Sequence, residues 1–199
     1  MQGYAILREK SVISIKAYDR HVEQIFEVVQ RLAAALSRAG IECRVLGGFA
    51  VFLHVSEREP LAARMTRDID ISVDRRDLER IRDAVRPFGF EYRPAAGVDM
   101  LVDAAEPKAR SAVHLIFVRE KVRPEYPEAA PDFSPAVLTP EGVPLAPLAD
   151  LVRMKLTSYR LKDKVHLQDL DSAGLITPEM EARLPEVLRS RLRDLRAAS

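Results

Sequence analysis

The spacing of apolar residues predicts alternating helices and strands over the first 122 residues. Apolar positions recur at helical spacing over residues 19–39, and Gly40 provides a stop signal at the end of this helix. Asp74 is positioned to cap another helix, which reaches about residue 86. A shorter apolar helix is expected over residues 49–54. The predicted strands cover residues 43–46, 66–73, 90–93, 98–102 and 112–118.

The strand predicted over residues 66–73 separates acidic from apolar side chains. Successive strand side chains point to opposite faces, so Ile69 and Ile71 share the apolar face. Asp68 and Asp70 then share the other face, where two carboxylates can converge on one hard cation such as Mg²⁺. The competing interpretation is a solvated strand face of an unrelated α/β fold, with two surface acids that do no chemistry.

The pattern changes after residue 122. Seven of the 13 prolines lie within residues 123–147, which predicts an extended connector. Helical spacing resumes at Leu148 and predicts helices over residues 148–159, 163–173 and 178–196. The predicted organisation is therefore an α/β (α+β) core over residues 1–122, with a mixed sheet and flanking helices, a proline-rich connector over 123–147, and a helical part over 148–199.

Composition narrows the class of protein. The 31 Lys and Arg residues balance 30 Asp and Glu residues, so a nucleic-acid contact would need a local basic patch. The single cysteine, Cys43, excludes an internal disulfide framework and a multi-cysteine zinc site. Residues 1–16 carry no apolar block of the signal-peptide type, and the apolar run over 45–55 is shorter than the roughly 20 residues of a membrane span. A cytoplasmic protein without a membrane partner is expected.

Gly47 and Gly48 stand between a predicted strand and a predicted helix. Glycines at such a turn let the backbone approach a phosphate closely, and the following helix offers free N–H groups. The turn is neither a P-loop nor a dinucleotide-binding fingerprint, because the further glycines and the lysine of those motifs are absent.

Taken together, two segments resemble the nucleotidyltransferase superfamily, the fold of polymerase beta-like enzymes. They are LGGFA at residues 46–50 and RMTRDID at residues 64–70. The likeness is greater to small bacterial members of the abortive-infection and toxin–antitoxin types. A looser likeness covers roughly residues 110–175, and its stretch 148–170 includes Lys155, Arg160, Lys162, Asp163 and Asp169.

This resemblance implies a minimal nucleotidyltransferase core and a metal-assisted transfer of a nucleoside monophosphate from a nucleoside triphosphate. Asp68 and Asp70 would act as catalytic residues and hold Mg²⁺ (or Mn²⁺). The acceptor hydroxyl would belong to an RNA or tRNA end, a protein or a small molecule, and an antitoxin is a further candidate partner. The expected nucleotide-binding residues are Gly47, Gly48, Arg64, Thr66, Arg67, Lys155 and Lys162.

The apolar pattern alone predicts that Lys155 lies on the inward side of its helix. It follows Leu151 by four residues and Leu148 by seven, so it shares the inward stripe of its helix. A lysine there either extends its ammonium group to solvent or meets an anion such as a nucleotide phosphate. Lys162 and Asp163 open the next predicted helix, where Asp163 is expected as the N-cap.

One position departs from the family pattern. A later strand usually supplies a third carboxylate, and His114 stands there instead. His114 would ligate the metal, act as a base near neutral pH, or be a half-buried strand residue without chemistry. This departure supports the alternative of a nucleotide-binding or interaction protein with weakened catalysis, such as a toxin–antitoxin component. Three nearby acids do not fit the missing position: Asp99, Asp103 and Glu120.

Overall fold

The computed structural model describes residues 15–64, 66, 68–105 and 112–198. The first half of the chain alternates between helices and strands. Its elements are α1 (Ile15–Arg38), β1 (Arg44–Leu46), α2 (Gly47–Arg58), β2 (Ile69–Val73), α3 (Leu78–Val85), β3 (Phe90–Ala95), β4 (Val98–Asp103) and β5 (Val113–Phe117). Short 3₁₀ turns at Arg75–Asp77 and Arg86–Phe88 flank α3.

The second half adds two short strands and four helices. They are β6 (Val137–Leu138), β7 (Pro144–Leu145), α4 (Leu148–Ser158), α5 (Leu161–Ser172), α6 (Pro178–Ala182) and α7 (Glu186–Ala197). None of the helices in the described segments is long and apolar enough to cross a membrane.

All seven strands form one mixed sheet in the order β3-β4-β5-β2-β1-β7-β6. The central strand β2 runs antiparallel to β1 and parallel to β5. In this register, Leu46 at the end of β1 lies opposite Asp70, and Asp70 lies beside His114 of β5. The expectation of a mixed sheet with flanking helices is confirmed, and its centre carries the predicted acidic strand.

Two apolar clusters hold the elements together. In the larger one, α1 and α3 pack on the sheet through buried residues such as Leu36, Ile71 and Ile81. In the second one, Val51 of α2 packs against the C-terminal helices, including Leu156 of α4. Because α2 belongs to both clusters, the C-terminal helices lie directly against the α/β part.

The two elements that carry the glycines and the acids begin at other residues than expected. The helix α2 begins at Gly47, so both glycines form its first turn rather than a break before residue 49. The strand β2 begins at Ile69 rather than at residue 66. The Thr66 hydroxyl accepts a hydrogen bond from the backbone N–H of Asp68 at 3.3 Å, and Asp68 lies ahead of the ladder rather than in it.

The proline-rich stretch joins the sheet. β7 runs parallel to β1, and the Ala146 backbone N–H donates to the Val45 carbonyl at 2.8 Å. The helix predicted over residues 178–196 is wrong as one element. It is interrupted at Pro185, which has no N–H to donate and disfavours helical geometry at the residue before it.

Candidate active site

An open cleft of about 540 Å³ lies where β1, β2 and β5 face the junction of α4 and α5. Its size is in the range of small-molecule and cofactor sites. Two sets of charged side chains line it. The first, the sheet floor, consists of Asp68, Asp70 and His114, and the second, the helical wall, consists of Lys155, Ser158, Arg160 and Asp163.

Gly47 brings the first turn of α2 against the Asp70 carboxylate. The glycine has φ +73°, a left-handed conformation that side chains rarely adopt. A Cβ added there would lie 2.0 Å from Asp70 Oδ2, so no larger residue fits without displacing the carboxylate. The diglycine bend and one of the predicted acids are therefore direct neighbours, and both line the cleft.

His114 and Asp70 form a pair across the β2–β5 ladder. Their side chains meet with 3.1 Å between His114 Nδ1 and Asp70 Oδ1. The hydrogen bond with Asp70 raises the pKa of His114 above its ordinary value, against the opposing effect of burial. The position expected to hold a third carboxylate thus lies beside Asp70 and carries an imidazole.

Asp68 pairs with a lysine of the opposite side of the cleft. Lys162 Nζ lies 2.9 Å from Asp68 Oδ2, with side chains 53% and 47% exposed. The hydrogen bond from Lys162 lowers the pKa of Asp68, while partial burial opposes this shift. An ion pair this open to water contributes about 0–1 kcal/mol, so a ligand can replace either partner.

Lys155 meets an anion, and that anion is Asp163. Lys155 Nζ lies 2.8 Å from Asp163 Oδ1, and the two side chains are 8% and 0% exposed. Arg160 Nε and Ser158 Oγ each donate to Asp163 Oδ2 at 2.8 Å. Burial alone would raise the pKa of Asp163, but the hydrogen bonds from Arg160, Lys155 and Ser158 hold it well below its usual range.

The expectation that Asp163 is an N-cap is wrong by three positions. The helix α5 begins at Leu161, so Asp163 is its third residue and reaches back to the Arg160 backbone N–H at 3.3 Å. The same carboxylate thereby fixes Arg160, whose guanidinium lines the cleft. Arg160 was absent from the predicted site, although its place three residues before Asp163 is a detectable i,i+3 signal.

Three of the remaining predicted nucleotide-binding residues are not among those that line the cleft: Gly48, Arg64 and Thr66. A Cβ on Gly48 would lie 2.8 Å from Thr66 Oγ1 and 3.1 Å from His166 Cε1, so Gly48 packs against the loop before β2 and against α5. Arg64 pairs with Asp169 of α5 at 3.0 Å. Arg67 lies outside the described residues.

None of the three other acids completes a carboxylate triad. Asp99 and Glu120 line the cleft, but both contact Arg75, at 3.8 and 2.7 Å. Asp103 pairs with Arg31 of α1. In the part of the chain that the structure describes, no three His, Cys, Asp or Glu side chains are grouped to hold a metal ion by themselves.

The donor chemistry nevertheless suits a divalent cation with a phosphate ligand. Mg²⁺ and similar ions are commonly held by one or two carboxylates, with water and substrate phosphates completing the shell. Asp68 and Asp70 are two such carboxylates on one cleft, and Lys162 already balances the charge of one of them. The residues present therefore fit a cation that arrives together with a polyphosphate.

The structure is similar to solved nucleotidyltransferases. The solution structure of the antibiotic-resistance factor ANT(2'')-Ia matches with a TM-score of 0.54 at 16% identity, over 89% of this chain and 95% of that one. The crystal structure of ANT(2'')-Ia in complex with adenylyl-2''-tobramycin matches with a TM-score of 0.53 at 15% identity, over 86% and 98%.

A nucleotidyltransferase-like protein from Paracoccidioides brasiliensis matches with a TM-score of 0.59 at 19% identity, over 88% of both chains. No family model and no curated protein sequence matches the chain. The chain has the nucleotidyltransferase fold, and the superfamily resemblance expected from its sequence is confirmed at the level of the fold.

Proposed function

We propose that this protein transfers a nucleoside monophosphate from a nucleoside triphosphate to an acceptor hydroxyl. The observation that carries the proposal is the meeting of Gly47, Asp68, Asp70 and Lys162 in one open cleft. These groups supply what the reaction needs, which is close backbone approach to phosphate, acidic oxygens for a cation, and a mobile positive charge.

The reaction is an in-line substitution at the α-phosphorus. The acceptor oxygen forms a new bond to the α-phosphorus, the bond to the bridging oxygen of the β-phosphate breaks, and pyrophosphate leaves. The proton of the acceptor hydroxyl passes to solvent. A divalent cation bound to Asp68 and Asp70, Mg²⁺ or Mn²⁺, would neutralise phosphate charge and favour ionisation of the acceptor.

Two basic residues, Lys162 and Arg160, contribute positive charge at the same cleft. Lys162 is half exposed and pairs with Asp68, so it can turn to a phosphate when a cation takes its place. Arg160 is oriented by the buried Asp163 and lines the cleft. Lys155 acts through Asp163 and is a positioning residue for Arg160.

The acceptor is an RNA or tRNA end, a protein side chain, or a small molecule. The ANT(2'')-Ia complex holds an adenylylated small molecule, adenylyl-2''-tobramycin, which makes hydroxylated small molecules the first class to test.

The test is a transfer assay with each of the four nucleoside triphosphates, labelled at the α-phosphorus. The wild-type protein is incubated with Mg²⁺ or Mn²⁺ and with separate pools of RNA, protein and aminoglycosides. We expect label in one pool, and a loss of about a hundredfold or more in Asp68→Asn and Asp70→Asn. Transfer that persists in both variants, or label in no pool, overturns the proposal.

A second candidate function is nucleotide binding with weakened catalysis, as in an interaction protein that pairs with an antitoxin. His114 in place of a third carboxylate is the observation that favours it. Calorimetry that detects binding of nucleotide with cation but no turnover would support this alternative. Turnover that appears in His114→Asp would support it further.

A further inference from the structure

We infer that His114 and Asp70 form a nitrogen–oxygen chelate that makes the cation site prefer a first-row transition-metal ion, such as Mn²⁺, to Mg²⁺. This inference rests on the proposed function, because it concerns the ion at the same site.

The two side chains are hydrogen-bonded, and an ion held by both would replace the proton that lies between them, which is released to solvent. Asp70 and His114 are register partners on the parallel strands β2 and β5, so their side chains leave the same face of the sheet. His114 Nδ1 and Asp70 Oδ1 are 3.1 Å apart. Two ligand atoms at right angles on an octahedral ion, with bonds of about 2.1 Å, are about 3.0 Å apart.

The backbone holds this pair in place. Gly47 leaves no free space behind the Asp70 carboxylate, because even a Cβ at that position would lie 2.0 Å from Oδ2. Both side chains are only partly exposed and line the cleft, so an ion entering with a nucleotide meets ligands whose separation is already set. Selectivity between metal ions depends in part on how flexible their ligands are.

The chemistry of the donors sets the direction of the preference. Mg²⁺ favours oxygen ligands and gives up its water reluctantly, whereas imidazole nitrogen favours transition-metal ions. The two other acids of this cleft, Asp99 and Glu120, are engaged by Arg75. Asp68 can contribute an oxygen once Lys162 leaves it, so nitrogen remains the distinctive donor.

The test compares the binding of Mn²⁺ and Mg²⁺ in the presence of a non-hydrolysable nucleotide. Mn²⁺ binding is followed by electron paramagnetic resonance, and Mg²⁺ by competition. Spin-echo modulation reports directly whether a nitrogen is bound to Mn²⁺. We expect nitrogen modulation in the wild type, and a preference for Mn²⁺ that falls about tenfold in His114→Asp, which supplies an oxygen ligand instead.

Two further variants separate ligation from folding and from general charge. His114→Asn keeps a polar side chain of similar size but removes the imidazole, so it loses the nitrogen modulation. Asp99→Asn removes an acid of the same cleft outside the pair, so it retains both the modulation and the metal preference.

The outcomes distinguish this inference from the proposed function. Mn²⁺ bound without nitrogen modulation, or a preference unchanged in His114→Asp, overturns the inference and leaves nucleotide transfer standing. Nitrogen modulation in a protein that transfers no label supports the inference and removes the proposed transferase activity.

Discussion

The helical wall and the sheet floor of the cleft both carry carboxylates paired with basic side chains, but these carboxylates differ in burial. In the wall, the carboxylate of Asp163 is fully buried and accepts hydrogen bonds from Lys155, Ser158 and Arg160. In the floor, Asp68 is half exposed and pairs with one lysine. The adjacent residues Lys162 and Asp163 thus belong to opposite environments.

This difference in burial determines which charges are available to a ligand. A buried carboxylate must be matched by fixed donors, because a buried charge without its partner is strongly destabilising. The carboxylate of Asp163 has such fixed donors, so its charge serves the stability of the fold. The Lys162–Asp68 pair has little net strength in water, so a cation and a phosphate can replace it.

The largest expected effect is on the wall. In Asp163→Asn the ammonium group of Lys155 loses its buried counter-charge, and the free energy of unfolding should fall by about 3–5 kcal/mol. Chemical denaturation measures this change. The matched control is Lys162→Met, which should alter stability by no more than about 1 kcal/mol. Equal losses in the two variants would show that the buried and the exposed ion pair contribute equally to stability.

The second effect tests the close contact between Gly47 and the Asp70 carboxylate of the sheet floor. Gly47→Ala should lower the free energy of unfolding by about 2–4 kcal/mol, since it combines backbone strain with a collision against Asp70. Gly40→Ala is the control, because Gly40 also has a positive φ but nothing within 4 Å of an added Cβ. It should lose only the strain of about 1–2 kcal/mol. Similar losses in both would show that Asp70 does not press on the bend.

The third effect concerns ligand binding. A nucleotide with a divalent cation at about one hundred times its dissociation constant should raise the free energy of unfolding by about 2.7 kcal/mol. Asp70→Asn should lose this gain while its own stability stays near that of the wild type. A thermal shift retained in Asp70→Asn would place the ligand elsewhere.

The smallest effect is on pH dependence, and its sign differs between two histidines. Asp70 raises the pKa of His114, so the contribution of His114 to the free energy of unfolding is complete below the unfolded pKa of about 6.5. This contribution is lost as the pH rises through the folded pKa. Burial lowers the pKa of His166 to about 4, so its contribution is present above about 6.5 and is lost as pH falls towards 4.

Nuclear magnetic resonance of the ring Cε1 protons follows both titrations. In Asp70→Asn the pKa of His114 should fall while that of His166 stays in place. If the pKa of His114 is the same in the wild type and in Asp70→Asn, the Asp70–His114 hydrogen bond is absent in solution.

The sequence predicts the floor better than the wall for a physical reason. Alternation along the predicted strand is enough to expect Asp68 and Asp70 on one side, although β2 begins only at Ile69, and helical spacing is enough to turn Lys155 inwards. The partner of Lys155 could not be read in this way, since it depends on how α4 and α5 turn against each other. The role of Arg160 depends on that same packing.

Short elements could not be predicted from the sequence pattern either. β6 and β7 have two residues each, too few to show any alternation; β7 pairs with the edge of β1, and β6 pairs with β7. The start of α2 at Gly47 depends on a left-handed backbone pressed against Asp70, which sequence spacing does not reveal.

The most direct measurement of the central claim is a crystal structure with a non-hydrolysable nucleoside triphosphate and Mn²⁺. We expect an ion in contact with Asp68 and Asp70, a triphosphate beside Gly47, and Lys162 moved from Asp68 to a phosphate. A nucleotide bound away from Gly47, or an ion that leaves the Lys162–Asp68 pair intact and does not contact Asp70, would contradict it.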